Sequence, residues 1–259
     1  TLALGATLLA RGLLGAFVAG LLGVGGAIVM IPLLLYVPPL LDVGRLDMKA
    51  VAGVTMTQVL VAAASGMLAH RRYGAVNARL AWVGGISMAG GSLVGALGSK
   101  FVSDAGLLLV FALMVTAAAF LIFMPPARGG SADGVRVKFS SLRAAIVAGG
   151  VGVAAGLVGA GGAFLLVPLL LVVVGIPIRI TIGSSLAITA LAASAGFIGK
   201  LVTGQIPFGV ALAVVLGAVP GAQLGAAVSR RLPPVVLRAA LFVFVVLTAI
   251  RVWAAGPPA

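Results

Sequence analysis

The sequence predicts an all-α, polytopic membrane protein built from two copies of one unit that face opposite ways. Three observations carry that prediction: pervasive hydrophobicity, a duplicated glycine-broken stretch, and an alternating bias in loop charge. Of 259 residues, 62% are hydrophobic and 8% charged, with a mean hydropathy of +1.31. A soluble domain of this size carries about 25% charged residues. Apolar stretches suited to a bilayer, such as Ala105–Met124, recur along the whole length. A signal peptide does not account for the pattern, because the hydrophobicity continues past one segment. The chain starts at Thr1, and a few native residues are expected to precede it.

The net charge of +13 and pI near 11.9 do not indicate a nucleic-acid partner. The basic residues fall between apolar segments, as cytoplasmic loops require, and no aromatic residues interleave with them to stack bases. With no cysteine, one histidine and four acidic residues, the chain lacks the material for thiolate chemistry, a metal site or acid–base catalysis. It is therefore expected not to be an enzyme and to need no cofactor or metal. Asp42, Asp47, Asp104 and Asp133 all fall in predicted loops. A cation carrier relying on carboxylates inside the membrane is disfavoured for that reason.

The stretch "GLLGVGGAIVMIPLLL" from Gly20 to Leu35 returns as "GLVGAGGAFLLVPLLL" from Gly156 to Leu171, with ten of sixteen positions identical. After an insertion around Pro38–Gly44 the offset settles at 130. Gly53 then matches Gly183, Thr55 matches Ser185, Gly66 matches Gly196, and Ser99-Lys100 matches Ser229-Arg230. This divides the chain into a first repeat over 1–124, a linker over 125–143 and a second repeat over 144–259. Such duplications occur in transporters in parallel or inverted form.

Loop charge separates the two forms. The loop His70–Arg79 carries three arginines and its counterpart Lys200–Pro207 one lysine, whereas Ser99–Asp104 is neutral and its counterpart Ser229–Arg238 carries three arginines. Placing basic loops in the cytoplasm puts 70–79, 125–143 and 229–238 on one side, so equivalent loops fall on opposite sides and the halves are inverted. Inversion needs an odd number of crossings per half. Lys49–Ala69, Ala78–Gly98 and Ala105–Met124 supply three in the first half, with counterparts in the second. The opening stretch must then enter and leave by one face or supply two crossings. A charge at mid-bilayer costs about 3 kcal/mol, which places Arg11 at the surface. Gly12–Leu22 is then a helix of about 17 Å, and the segment from Ala27 to about Val37 is equally short. Each half is thus expected to hold a glycine-broken pair of short helices plus three full transmembrane helices.

The glycines give the break a purpose. Lipid offers no hydrogen bonds, so irregular backbone at bilayer depth must be covered by protein or water. Gly23, Gly25 and Gly26, with Gly159, Gly161 and Gly162, can adopt positive φ and expose the backbone. A helix opens after each cluster, at Ala27 and Ala163, and its first turn presents free N–H groups and partial positive charge. Two such N-termini converging near the midplane would suit an anion with several acceptor oxygens. The other reading is close helix packing, which also accounts for "GGSLVGALG" at Gly90–Gly98. Pro32 and Pro168 are expected to limit each short helix near its end.

Polar residues inside apolar segments form a second group: Thr55, Thr57 and Gln58 in one helix, Ser184, Ser185 and Thr189 in its counterpart. The hydroxyls of this group are candidates to complete an anion's shell, with Thr55, Ser184 and Ser185 as the site residues and the matched pair Thr55 and Ser185 preferred; back-bonding to helix carbonyls is the alternative. His70 and Lys200 occupy matched helix ends and are expected at the membrane interface rather than at a ligand.

The doubled G-x-G-G-x(5)-P-x-L pattern at Gly23–Leu34 and Gly159–Leu170 resembles the sulfite exporter TauE/SafE family of bacterial membrane proteins. "GSSL" at Gly183–Leu186 and the basic loop ending in "YGAV" support the likeness, with Ala27 and Ala163 standing where many members have a third glycine. The resemblance implies a multi-pass protein of the bacterial cytoplasmic membrane that moves sulfur-containing anions, such as sulfite or sulfonates, mostly outward. It points to the two G-x-G-G turns, Thr55 and Ser185. An importing permease for another anion, such as a carboxylate, and a non-transporting membrane scaffold are the alternatives. Glycine-rich faces permit a homodimer without requiring one.

Overall fold

The computed structural model describes residues 2–40, 46–72, 74–124 and 139–255. Most of the linker (125–138), part of the first-half insertion (41–45), Asp42 and Asp133 therefore lie outside the described residues. Among the described residues there are ten α-helices: α1 (Leu2–Leu22), α2 (Ala27–Leu40), α3 (Met48–Arg72), α4 (Ala78–Gly98), α5 (Asp104–Phe123), α6 (Ser141–Val158), α7 (Ala163–Leu169), α8 (Ile178–Val202), α9 (Phe208–Arg231) and α10 (Pro234–Ala255). The described residues contain no strand. Among them, α3, α4 with a short 3-10 extension, α5, α6, α8 and α9 are long and apolar enough to cross a membrane.

Helix starts follow from local chemistry. The Asp47 carboxylate accepts from the Ala50 N–H at 2.9 Å, the Asn77 side chain from Leu80 at 2.9 Å, and the Ser103 hydroxyl from Gly106 at 3.2 Å. Each satisfies a donor that the first turn leaves without an internal acceptor. Pro177 and Pro207 precede α8 and α9, where a missing N–H costs nothing.

Two expectations change. The helix before the first glycine cluster is not confined to 12–22 but runs unbroken from Leu2, and its counterpart α6 has 18 residues. Nothing in 2–11 breaks a helix; arginine is a good helix former, so Arg11 sets no boundary. The prolines behave differently: Pro32 does not end its helix, whereas α7 ends as an α-helix one residue after Pro168. Pro32 lies inside α2, which continues to Leu40. After Pro168, α7 passes into a π turn over Leu170–Val174 that ends at left-handed Gly175. Pro32 removes the N–H that would bond the Ile28 carbonyl; the Thr248 hydroxyl reaches that oxygen at 3.4 Å.

Small residues let the helices approach closely. A β-carbon on Gly20 would overlap the Ala222 carbonyl, and one on Gly156 the Ser92 carbonyl. These are matched contacts of the two halves, α1 on α9 and α6 on α4. Both pairs run parallel, since Gly12 meets Val214 while Gly20 meets Ala222, and Gly152 meets Met88 while Gly156 meets Ser92. The matched helices α3 and α8 run antiparallel, with Gly53 against Gln205, Gly66 against Leu186 and Gly183 against Ala75. Large apolar side chains such as Trp82, Ile86, Phe120 and Leu212 point outward.

The approach is position-specific. A β-carbon at Gly91 would strike the Gly149 carbonyl, whereas one at Gly90 meets nothing within 4 Å. Gly91→Ala is expected to cost about 1–3 kcal/mol through overpacking, and Gly90→Ala to gain about 0.5–1 kcal/mol through helix propensity. Thermal unfolding of the purified variants in detergent checks both signs.

Candidate functional site

The first glycine cluster folds the chain back on itself. Gly20, near the end of α1, lies beside Gly66 of α3. The chain then returns about two helical turns, so that Gly26 sits against the Gly15 carbonyl and the Gln58 amide. Gly23, Gly25 and Gly26 have φ of 72°, 75° and 78°, and Gly159, Gly161 and Gly162 have 72°, 61° and 67°. L-residues with a β-carbon rarely adopt this conformation, and six glycines permit the fold-back twice. The second cluster behaves likewise: Gly162 sits against Val151 and Ala155 of α6.

The two clusters meet. A β-carbon on Gly25 would lie 3.3 Å from that of Ala163 and 3.6 Å from both Val59 Cγ1 and Thr189 Cγ2. Gly161 packs on the same Val59 and lies 3.2 Å from the Thr189 methyl by the same measure. Val59 and Thr189 are matched positions on α3 and α8. The start of α2 at Ala27 and the start of α7 at Ala163 thus share one buried region, and both alanines are fully buried. α7 and its π turn form one run of twelve residues (163–174).

That region holds polar atoms without partners. The hydroxyls of Thr55 and Thr189 and both amide atoms of Gln58 are buried and make no hydrogen bond; the Ser92 hydroxyl on α4, also without a hydrogen bond, lies instead against Gly196 of α8. An unsatisfied buried donor or acceptor costs about 1–3 kcal/mol, and several such groups together need a reason. Thr55, Gln58 and Val59 occupy one face of α3, three and four residues apart. The donors and acceptors they offer are uncharged. Among the described residues no three acidic or histidine side chains group to hold a metal.

The sequence-predicted site divides in two. Gly25, Gly26, Ala27, Gly161, Gly162, Ala163 and Thr55 belong to the shared region. Gly23, Gly159, Ser184 and Ser185 support it from outside. The Ser185 hydroxyl lies 2.9 Å from both the Gly23 and the Ile182 carbonyl oxygens, tying the first turn to α8. Ser184 accepts from the Asn77 N–H at 2.9 Å, and Gly159 packs on Ala52. Thr57 back-bonds to the Gly53 carbonyl at 2.9 Å. Gln58 and Thr189 belong to the polar group that the sequence singles out but not to its preferred site residues; what distinguishes them is their packing against the glycine turns. His70 and Lys200 lie near the ends of α3 and α8, as matched helix-end positions, and are buried within the protein there. His70 Nε2 donates to the Gly20 carbonyl at 2.9 Å, and Lys200 Nζ donates to the Leu157 carbonyl at 3.0 Å.

Membrane-crossing helices around a buried, uncharged polar site are the make-up of a membrane transporter. Comparison with known proteins makes this specific. Residues 8–252 match the family described as sulfite exporter TauE/SafE. The chain is 31% identical over 225 residues to a probable membrane transporter protein of Xylella fastidiosa (strain Temecula1 / ATCC 700964), covering 85% of this chain and 83% of the relative. It is 27% identical over 241 residues to the probable membrane transporter protein YunE of Bacillus subtilis (strain 168), covering 87% and 88%. No solved structure matches the chain significantly. The chain belongs to the TauE/SafE family, and its family and relatives are membrane transporters, not enzymes.

The two kinds of buried polar group should respond oppositely to removal. Gln58→Leu takes away an unpaired amide and is expected to leave thermal stability unchanged or raise it. Ser185→Ala takes away the tie to Gly23 and is expected to lower stability by about 1 kcal/mol. Melting curves in ligand-free buffer distinguish them.

Proposed function

We propose that this protein exports sulfite or a closely related sulfur-containing anion, held where the two glycine turns meet. The observation that carries this reading is the set of buried, unpartnered groups on Thr55, Gln58 and Thr189 beside the starts of α2 and α7. First-turn N–H groups have no internal acceptors and carry partial positive charge. Hydroxyl and amide donors add neutral hydrogen bonds, so an oxyanion would find donors from several directions. Such a site needs no carboxylate relay, and an inside-negative potential favours anion exit by about 2.3 kcal/mol per charge per 100 mV. The family description names sulfite export, while the relatives' names specify no substrate.

We also propose that the halves are inverted in a bacterial cytoplasmic membrane, with loops 70–79, 125–143 and 229–238 in the cytoplasm. The antiparallel run of α3 against α8 supports inversion. The gathering of arginines at one end supports the orientation: Arg79 bonds Ser141 at 2.9 Å and lies over Phe139, and Arg179 bonds the Leu232 carbonyl at 3.0 Å. In this cysteine-free chain, an impermeant thiol label applied to intact cells is expected to mark Lys100→Cys and spare Arg231→Cys; the reverse would refute the orientation.

Sulfite efflux from proteoliposomes at imposed potentials tests the substrate reading. Flux is expected to grow with inside-negative voltage and to fall about tenfold or more, a loss of roughly 1.4 kcal/mol, in Gln58→Leu/Thr189→Val. Absence of protein-dependent flux for sulfite, methanesulfonate, thiosulfate and acetate alike would overturn it.

A further inference from the structure

The two ends of the bundle are built from matched parts but finished differently. At each end a cation on the helix start caps the end of a neighbouring helix: Lys49 Nζ donates to the Lys100 carbonyl at 3.2 Å, and the matched Arg179 donates to the Arg230 and Leu232 carbonyls at 3.5 and 3.0 Å. The divergence lies just inside. At the Lys49 end, Lys200 Nζ donates to Ser99 Oγ at 2.7 Å and to Gln205 Oε1 at 2.9 Å, in addition to the Leu157 carbonyl. Gln205 Nε2 in turn reaches Ser99 Oγ at 3.1 Å. Lys200 is fully buried by this cluster.

The counterparts of Lys200, Ser99 and Gln205 are His70, Ser229 and Ala75. Imidazole is shorter than a lysine stem, and Ala75 has no group to bridge with. Instead of a hydrogen-bonded cluster, that end holds a cavity of about 550 Å³ lined by His70, Ala75, Ser229 and the side chains of Arg72, Arg179 and Arg230. Ile182 forms part of its wall, and Gly23 of the first glycine turn packs directly on Ile182. Among the described residues the acidic side chains Asp47 and Asp104 stand with Lys49 and Lys100 at the other end, away from Arg72 and Arg179. Cationic walls of low dielectric concentrate counter-ions, and guanidinium matches planar and tetrahedral oxyanions in geometry.

We propose that this cavity is an anion-collecting vestibule, a second binding site for small oxyanions that leads to the paired glycine turns from the 70–79 end. At the opposite end the Lys200–Ser99–Gln205 cluster fills the matched space. The assignment rests on the reading of the cargo as an anion, and its test is separable from transport.

Because the chain contains no cysteine, one introduced thiol reports on the cavity alone. In purified Ala75→Cys in detergent, the rates of modification by the anionic sulfonatoethyl methanethiosulfonate and the cationic trimethylammonioethyl methanethiosulfonate are compared with those of a small free thiol. The anionic-to-cationic ratio is expected to exceed the free-thiol ratio about tenfold or more. It is expected to fall towards the free-thiol value in Arg72→Gln/Arg179→Gln, and the anionic rate to drop when millimolar sulfate, an oxyanion that does not react with thiosulfonates, is added. Ile180→Cys, on the same wall, serves if Ala75→Cys does not purify as a folded species. A free-thiol ratio in the parent, or an elevated ratio indifferent to the two arginines, overturns the vestibule. Sulfite flux in liposomes is measured alongside: a raised ratio without flux leaves the vestibule standing and removes the sulfite reading, while flux without a raised ratio does the reverse.

Discussion

A chain that stops being helical inside a bilayer strands backbone N–H and C=O groups where lipid cannot satisfy them. Most of this architecture answers that constraint. The two glycine turns are walled by the antiparallel pair α3 and α8 and by the helices that precede them. Those walls close because α1 against α9 and α6 against α4 meet through glycine and alanine rather than bulkier side chains. Close packing and the exposed backbone at the turns are consequently one design. Packing keeps lipid away, and in doing so preserves donors that no protein group uses.

The ends of the broken helices are handled with equal economy. The last turns of α1 and α6 present unpaired carbonyls and the negative pole of the helix dipole. His70 and Lys200 approach these carbonyls from α3 and α8. Each half thus places a basic side chain on its partner helix's C-terminal turn, which leaves the following glycines free to turn inward. The same device recurs with Lys49 and Arg179 at the next helix ends.

Much of this was legible in the chain. The duplicated motif, the offset of 130 and the glycine positions lead directly to the turns and to the regions beside Thr55 and Ser185. What escaped the sequence was whatever depends on three dimensions. Helix length before the turns was misjudged because a charge at Arg11 was read as a boundary, although helix propensity carries the chain through it. Ser185 and Thr55 look equivalent in sequence, yet only the serine is bonded to a turn, while the hydroxyl of Thr55 is left unpaired. Gln58 and Thr189 break the repeat's symmetry, the latter facing Val59, and no periodicity argument singles out such a mismatch. The burial of Lys200 depends on Gln205 and Ser99, which are near it only once the helices are assembled.

In the proposed inverted arrangement, two identical halves would make the molecule read the same from either side of the bilayer. Its two alternate states would then be related by a two-fold rotation and equal in energy, with no preferred resting form. The substitution of His70 and Ala75 for Lys200 and Gln205 lifts that degeneracy. In such a protein an unequal resting balance would come from positions where the matched halves differ, while the net direction of flux would follow the gradient and the membrane potential.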